Sequence, residues 1–226
     1  MENKKGSGIF LGVVSVATLV VAIVGATFAF FTAQAGSGEV AAESYKFATA
    51  MTLTKETHDP LTDGLIPLDG ATYLKTAVTT GGTYMDGETE IKNQKCVDEK
   101  GYEVCQIYKA TFNNTGSTDV TLNGKVTVDT NGFQENHLKL VQVADSLDAI
   151  NATSAVELGT AETSKNLTSV TVQKGVEKVV YFVVYLEELD NENKNDQGVS
   201  FTGTISFEDA TGSGGELTGT FGTTGA

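Results

Sequence analysis

Several segments of this chain alternate apolar and polar residues with a period of two. The clearest lies near the end, where Ser, Thr and Gly separate four apolar residues: Val199, Phe201, Ile205 and Phe207. Successive side chains of a strand point to opposite faces, so this pattern predicts a half-buried β-strand. Residues 102–112 and 120–128 show the same pattern. A slip of one residue would turn each apolar set towards water, so we expect fixed registers in all three segments.

Residues 179–186, with the sequence VVYFVVYL, are apolar on both faces. Such a strand must be covered on both sides, which predicts a central strand of a sandwich; a buried helix is the alternative. The chain after Phe31 is rich in Thr, Val and Gly and shows no long apolar pattern at helical spacing. Because β-branched residues suit pleated, half-buried surfaces, we predict an all-β fold.

Local signals predict three further features. Residues 73–79 read as a short strand, and residues 145–165 as a polar stretch with a short helix or a mobile insertion. Asn123-Gly124 is either a tight hairpin turn or a bulge inside one long strand.

An uncharged apolar run of 23 residues, 9–31, follows Lys4 and Lys5. A helix of this length spans a hydrocarbon core of about 30 Å, and the lysines keep its start in the cytoplasm. The layout is that of a secretory signal, with cleavage expected after Ala29 or after Ala35.

An uncut membrane anchor is the alternative. A type IV pilin leader at Lys4-Lys5-Gly6 is a third interpretation, but it lacks the glutamate expected at the fifth mature position. The rest of the chain is therefore expected outside the cytoplasm, secreted or at the cell surface.

Cys96 and Cys105 are the only cysteines. A hairpin with a two-residue turn at 100–101 would place Cys96 opposite Cys105 and Val97 opposite Val104, with the turn glycine supplying a positive φ. In an exported protein, two cysteines placed in this way predict a disulfide. Their spacing does not match the C-x-x-C pattern of redox sites.

These features predict four segments: a signal peptide or anchor at 1–35, a linker at 36–44, a β-sandwich domain at 45–208, and a Gly/Thr-rich tail or extra strand at 209–226. The net charge is −14, and all fifteen basic residues are lysines. Nucleic acid is a poor partner for this surface, because phosphate binding needs a cationic footprint.

Candidate catalytic and metal-binding residues are few. His58 and His137 are the only histidines, and no H-E-x-x-H motif is present. We predict that both histidines lie at the surface, and we predict no catalytic residue, cofactor or metal ligand. Residues 190–198 collect hard oxygen ligands that suit calcium, but Lys194 and the late Gly198 depart from the EF-hand pattern. A solvated hairpin loop is the favoured interpretation there.

Four short segments of the chain resemble a known family: residues 25–31, 112–117, 181–189 and 201–208. The family is that of the TasA/camelysin exported biofilm-matrix proteins. Residues 25–31, GATFAFF, resemble the family's G-T-W-A-A-F leader end, and residues 112–117, FNNTGS, resemble its F-x-N-x-G-S segment. Residues 181–189 and 201–208 resemble its last two sheet strands. The resemblance implies a jelly-roll-like sandwich of two antiparallel sheets, cleavage after Ala29, and fibres in which an N-terminal strand completes the next subunit.

On this reading, the donor strand lies within residues 30–53, with Tyr45, Phe47, Met51 and Leu53 on one face. The alternative is that this strand pairs within its own domain. Some family members carry a metalloprotease label, which no zinc pattern in this chain supports. The hairpin disulfide and the long leader depart from the best-known members.

Together these observations predict a non-enzymatic structural protein that assembles with itself into extracellular or biofilm-matrix fibres. The first alternative is a membrane-anchored surface sandwich for binding or adhesion. The second is a secreted metalloendopeptidase.

Overall fold

The structure, a computed structural model, describes the backbone of residues 40–43 and then residues 49–57, 65–70, 72–133, 137–189, 199–212 and 215–223. The following predicted features lie outside the described residues: the apolar run at 9–31, the cleavage candidates Ala29 and Ala35, Tyr45, Phe47, His58 and the loop at 190–198.

Strands dominate the described chain. In chain order they are β1 (Val40–Glu43), β2 (Thr49–Lys55), β3 (Gly82–Asp86), β4 (Thr89–Gln94), β5 (Cys105–Asn114), β6 (Val120–Asn131), β7 (Leu138–Ala144), β8 (Val156–Glu157), β9 (Ser164–Asn166), β10 (Val170–Val172), β11 (Glu177–Leu186), β12 (Phe201–Asp209) and β13 (Glu216–Thr223). One α-helix, α1 (Leu74–Thr79), and two 3-10 helices, Leu147–Ala149 and Ala152–Ser154, complete the described elements.

The strands form two main antiparallel sheets. The first sheet has the order β1-β2-β5-β11-β7-β8, and the second has the order β10-β6-β12-β13, with β9 also paired to β6. A separate hairpin joins β3 to β4. The prediction of an all-β fold with antiparallel sheets is confirmed.

The main hydrophobic core lies between the two sheets. The inward faces of both supply it, and its largest fully buried members include Phe112 and Phe182 from the first sheet and Phe201 and Phe207 from the second. The rings of Phe112 and Phe207 meet edge to face with centroids 5.0 Å apart. Leu122, Val126 and Val128 are buried with them. The alternation predicted for residues 120–128 and 199–207 is therefore confirmed.

The first sheet is covered on its outer face as well. Leu74 and Val78 of α1 pack there with the cysteines, against Ile107 of β5 and Val183 of β11. Since β11 lies between β5 and β7, its even-numbered residues face the sandwich core and its odd-numbered residues face this second cluster. The central position predicted for residues 179–186 is confirmed.

The short strand predicted at residues 73–79 is wrong, because residues 74–79 form α1. The helix buries Leu74, Ala77 and Val78. These positions share one helical face, since residues three and four apart are neighbours on a helix. Tertiary burial of that face outweighs the β preference of the Thr and Val residues.

The sandwich also extends beyond residues 45–208 at both ends. Val40–Glu43, inside the expected linker, forms β1, and Glu216–Thr223, inside the expected tail, forms β13. The extra-strand interpretation of the tail is the correct one, because Leu217 and Phe221 bury apolar side chains in the core.

Asn123-Gly124 is neither a turn nor a bulge, because β6 runs through it in unbroken register with β12. The register shift of this pair lies instead between Thr202 and Gly203. A Cβ on Gly124 would lie 2.6 Å from the ring of Phe207. The glycine is therefore needed for close packing and not for a turn.

The disulfide between Cys96 and Cys105 is present, with Cα atoms 4.8 Å apart. The predicted register is off by one residue, because Val97 pairs with Glu103 and not with Val104. Asp98 explains the longer turn: its carboxylate accepts hydrogen bonds from the backbone N–H groups of Lys100 and Tyr102. Gly101 has the predicted positive φ, 89°.

Candidate assembly surface

The N-terminal strands lie at one edge of the first sheet. β2 pairs with β5 along seven residues, and β1 pairs with the other side of β2. Met51 and Leu53 are buried in the core between the sheets. Two of the four predicted donor residues are therefore part of their own subunit's sheet.

β13 is the edge strand of the second sheet on the same side of the sandwich. It pairs with β12 over eight residues without a register shift. It lies against β1 and β2 but forms no strand pairing with either in the described part of the chain. The contact is close, because a Cβ on Gly219 would lie 2.7 Å from Cδ2 and 2.8 Å from Cβ of Leu53.

Substituting Gly219 should loosen this contact. We expect Gly219→Ala to lower the free energy of unfolding by about 1–3 kcal/mol, because the β2 backbone must move with Leu53. Urea denaturation measures the change. Gly159→Ala is the matched control, because the nearest atom to its added Cβ is 3.3 Å away. Equal effects of the two substitutions would contradict the close contact.

A chain of polar groups connects the two sheets beside the end of β13. The Tyr108 hydroxyl accepts a hydrogen bond from the Gly222 N–H at 2.9 Å and donates to Oε1 of Gln106 at 2.6 Å. Nε2 of Gln106 donates to Oε2 of Glu103 at 3.2 Å, and Nζ of Lys55 lies 3.8 Å from Oε1 of the same carboxylate. This series of polar contacts holds the C-terminal end of β13 against β5. The sequence signal for it was Gln106, a polar residue on the apolar face of β5.

On the opposite side of the sandwich, a side chain of the first sheet forms hydrogen bonds with the backbone of the second sheet. Gln142 of β7 accepts a hydrogen bond from the Thr168 N–H at 2.8 Å and donates to the Thr168 carbonyl at 2.9 Å. Thr168 lies between β9 and β10, so this pair of bonds joins the two sheets there. The two strands at this edge have three residues each.

A buried lysine, Lys139, lies on the outer face of the first sheet. Nζ of Lys139 lies 2.8 Å from the Glu157 carboxylate and 3.2 Å from that of Glu187. Burial opposes the charge of Lys139, but the two glutamates outweigh it and raise the lysine's pKa. The hydrogen bond from Lys139 and its positive charge lower the pKa of Glu157. This ion cluster joins β7 to β8 and to Glu187, the residue that follows β11.

Tyr185, opposite Lys139 in the ladder, is fully buried. Burial, with a smaller contribution from the charge of Glu187, raises its pKa to about 12. The folded protein therefore holds this proton at pH values where an unfolded tyrosine, with a pKa of about 10, loses it. Stability from this group is present below pH 10 and is lost as the pH rises towards 12.

Tyr185→Phe should remove this alkaline sensitivity. Between pH 10 and 12, we expect the variant to lose less unfolding free energy than the wild type, by about 2 kcal/mol at the upper end. Urea denaturation at a series of pH values measures it. Tyr102→Phe, at an exposed tyrosine, is the control. Parallel pH profiles for wild type and Tyr185→Phe would contradict the assignment.

The surface position predicted for His137 is wrong, because this residue is only 2% exposed. Its carbonyl accepts a hydrogen bond from the Glu187 N–H, which places it where β7 begins beside β11. Two polar residues, Glu135 and Asn136, precede it in the sequence, but β7 begins at the residue after it, Leu138. Within the described ranges, no three His, Cys, Asp or Glu side chains are placed to hold a metal ion.

Comparison with known proteins leaves the family of this chain open. No protein-family model and no curated protein matches it. A solved structure of a FixG-related protein from Vibrio parahaemolyticus aligns with 77% of this chain and 94% of its own, at 8% identity and a TM-score of 0.34. A likeness at that level carries no argument. Among the described residues, no helix is long and apolar enough to cross a membrane.

Proposed function

We propose that this protein is an exported, non-enzymatic structural subunit that assembles with itself into extracellular or biofilm-matrix fibres. In this proposal the leader at 9–31 directs export and is cut after Ala29. The sandwich is a jelly-roll-like subunit body, and the segment in front of it adds as a strand to the next subunit.

One observation supports this proposal most: the sandwich has unequal sides. On the side that carries β1, β1 and β13 are both edges of the described sheets, and β13 is eight residues long. On the other side, the edge strands have two or three residues, and Gln142 links the two sheets. An edge that pairs with no further described strand, beside the start of β1, is the geometry that strand exchange between copies requires.

The position of β2 moves the proposed donor upstream. Met51 and Leu53 are held in their own core, and β1 is already paired to β2. The part of the chain that remains for a neighbour therefore precedes β1, and begins at Phe30 if the leader is cut after Ala29.

Electron microscopy of the purified mature protein tests this function. We expect unbranched fibres when the N-terminal segment is intact. Persistent single particles at high concentration, with residues from Phe30 onward verified by mass spectrometry, would rule the proposal out.

A surface domain for binding or adhesion is the second candidate, and the segment between β2 and β5 favours it. Three large apolar side chains are exposed there: Tyr73 is 57% exposed, Met85 52% and Tyr102 41%. Exposed aromatic residues are typical of binding surfaces. N-terminal sequencing of the exported protein separates the candidates, since a retained leader indicates a tethered domain and a start at Phe30 or Gly36 indicates release.

A further inference from the structure

The outer face of the second sheet carries polar side chains in register across four strands. In β6, β12 and β13, the residues between the buried ones point away from the core, because successive side chains of a strand alternate. The strand pairings align these outward residues in two rows. The first row is Ser164, Thr127, Thr204 and Thr220, and the second row is Asn166, Lys125, Ser206 and Thr218. The first row therefore consists of hydroxyl groups alone, and the second contains a single charge, that of Lys125.

Side chains of both rows reach solvent. Ser164, Thr220 and Lys125 are exposed, and Thr127 and Thr204 are half-buried. The outer face of the first sheet differs, because the helix α1 and the cluster around it cover that face. Of the two outer faces, the one that carries the rows is thus the one that a large ligand can reach.

Neighbouring groups hold the hydroxyls of the first row in place. The Thr127 and Ser164 hydroxyl oxygens lie 2.9 Å apart and share a hydrogen bond. The Thr204 hydroxyl donates to Oδ2 of Asp129 at 3.0 Å, so its oxygen remains an acceptor for a further partner. Polar groups that are already oriented lose less conformational freedom when a ligand binds them.

Ser206, in the second row, points most directly to a ligand. Its neighbours Ile205 and Phe207 are buried in the core, so its own side chain points to the outer face, between Lys125 and Thr218. Ser206 is only 6% exposed. Within the described part of the chain, its hydroxyl forms no hydrogen bond with another residue. Because buried polar groups are normally hydrogen-bonded, this recessed hydroxyl is suited to a partner from outside the chain.

We propose that this face binds an extended, neutral polysaccharide whose chain runs across the strands along the two rows. The inference does not depend on fibre assembly. Neighbouring strands lie about 4.8 Å apart, which is close to the length of one sugar unit in an extended polysaccharide, so each of the four strands meets one sugar. Residues two apart along a strand are separated by about 7 Å, so hydroxyl groups on the two edges of a sugar ring can each reach one row.

The charges and the twist of the sheet select the ligand. The chain has a net charge of −14, and Asp129, Glu208 and Glu216 lie beside the rows, which disfavours a polymer with regularly spaced negative charges. Lys125 offers three N–H donors to sugar oxygens. Neighbouring strands are rotated by about 20–25°, so the rows are twisted. A single flexible chain can follow this twist, whereas the flat surface of a crystalline polysaccharide cannot.

Isothermal titration calorimetry of the exported protein with three neutral tetrasaccharides tests the proposal. The probes are cellotetraose, laminaritetraose and chitotetraose. We expect at least one of them to bind, and the disaccharide of the same linkage to bind about tenfold more weakly or less, because it meets two strands instead of four. Failure of all three tetrasaccharides to bind, or equal affinities for disaccharide and tetrasaccharide, would overturn the proposal. So would tighter binding of polygalacturonate than of the neutral sugars.

Variants then locate the site. We expect Thr204→Val and Ser206→Ala each to weaken binding by about three- to tenfold, since each removes one hydrogen bond to the sugar. Thr171→Val is the matched control, because it removes an exposed hydroxyl of β10 outside the two rows, and it should leave the affinity within about twofold of wild type. Thr220→Val, at an exposed position, supplies the same readout if Ser206→Ala does not fold. Unchanged affinity in the row variants, or an equal loss in Thr171→Val, shows that the rows are not the site.

Discussion

Phe207→Ala is expected to lower the free energy of unfolding by about 3–5 kcal/mol. The ring is fully buried where the two sheets meet, 5.0 Å from the Phe112 ring and 6.2 Å from the Phe182 ring between centroids. Its edge also fills the space above Gly124, where even a Cβ would be too close. Truncation leaves a cavity that strands paired on both sides cannot collapse to fill.

Urea denaturation followed by circular dichroism measures this loss. Val176→Ala is the control, because Val176 is 49% exposed and its truncation should change stability by less than about 0.5 kcal/mol. Phe207→Leu should fall between the wild type and the alanine variant. A loss below about 1 kcal/mol for Phe207→Ala would show that Phe207 is not at the centre of a packed core.

Removing the disulfide by the double substitution Cys96→Ala and Cys105→Ala is expected to cost about 2–3 kcal/mol. The closed loop is short, with a sequence separation of 9, which limits the entropic contribution to about 3 kcal/mol. The disulfide also anchors the residues around Cys96 and Cys105. Both cysteines are fully buried in the second cluster, on the outer face of the first sheet, and the Cys96 N–H donates to the Ala77 carbonyl near the end of α1.

The loss of stability in the double variant should at first be local. We expect amides of α1 and of the segment 94–104 to exchange faster in the double variant, while β6 and β12 stay protected. The matched comparison is the wild type under oxidising conditions. Unchanged stability, or loosening spread evenly over both sheets, would show that the bond does not hold the segment between β2 and β5.

The sequence was sufficient for features that repeat along a strand. The apolar alternation of β6 and β12 and the two-sided apolar run of β11 predicted their faces, because burial on a sheet follows the side-chain period. The sequence was insufficient where contacts between residues far apart along the chain determine the local structure. Nothing near residues 74–79 shows that Leu74 and Val78 will lie on the outer face of the first sheet, so β propensity pointed to a strand.

The candidate surface was predictable only in part. Tyr45, Phe47, Met51 and Leu53 alternate as a donor strand should, but pairing of β2 with β5 is a long-range event that local pattern does not encode. β13 was hidden in a Gly/Thr-rich tail, because Gly219 serves to admit Leu53 and leaves no apolar signal of its own. His137 and the polar chain at Gln106 depend in the same way on neighbours far along the sequence.

Sedimentation velocity of the mature protein over a wide concentration range tests the central claim most directly. We expect protein starting at Phe30 to sediment as long polymers whose fraction grows with concentration, and protein trimmed to Gly36 to stay monomeric. Monomers at every concentration with the N-terminal segment intact, or equal polymerisation after trimming, would contradict it.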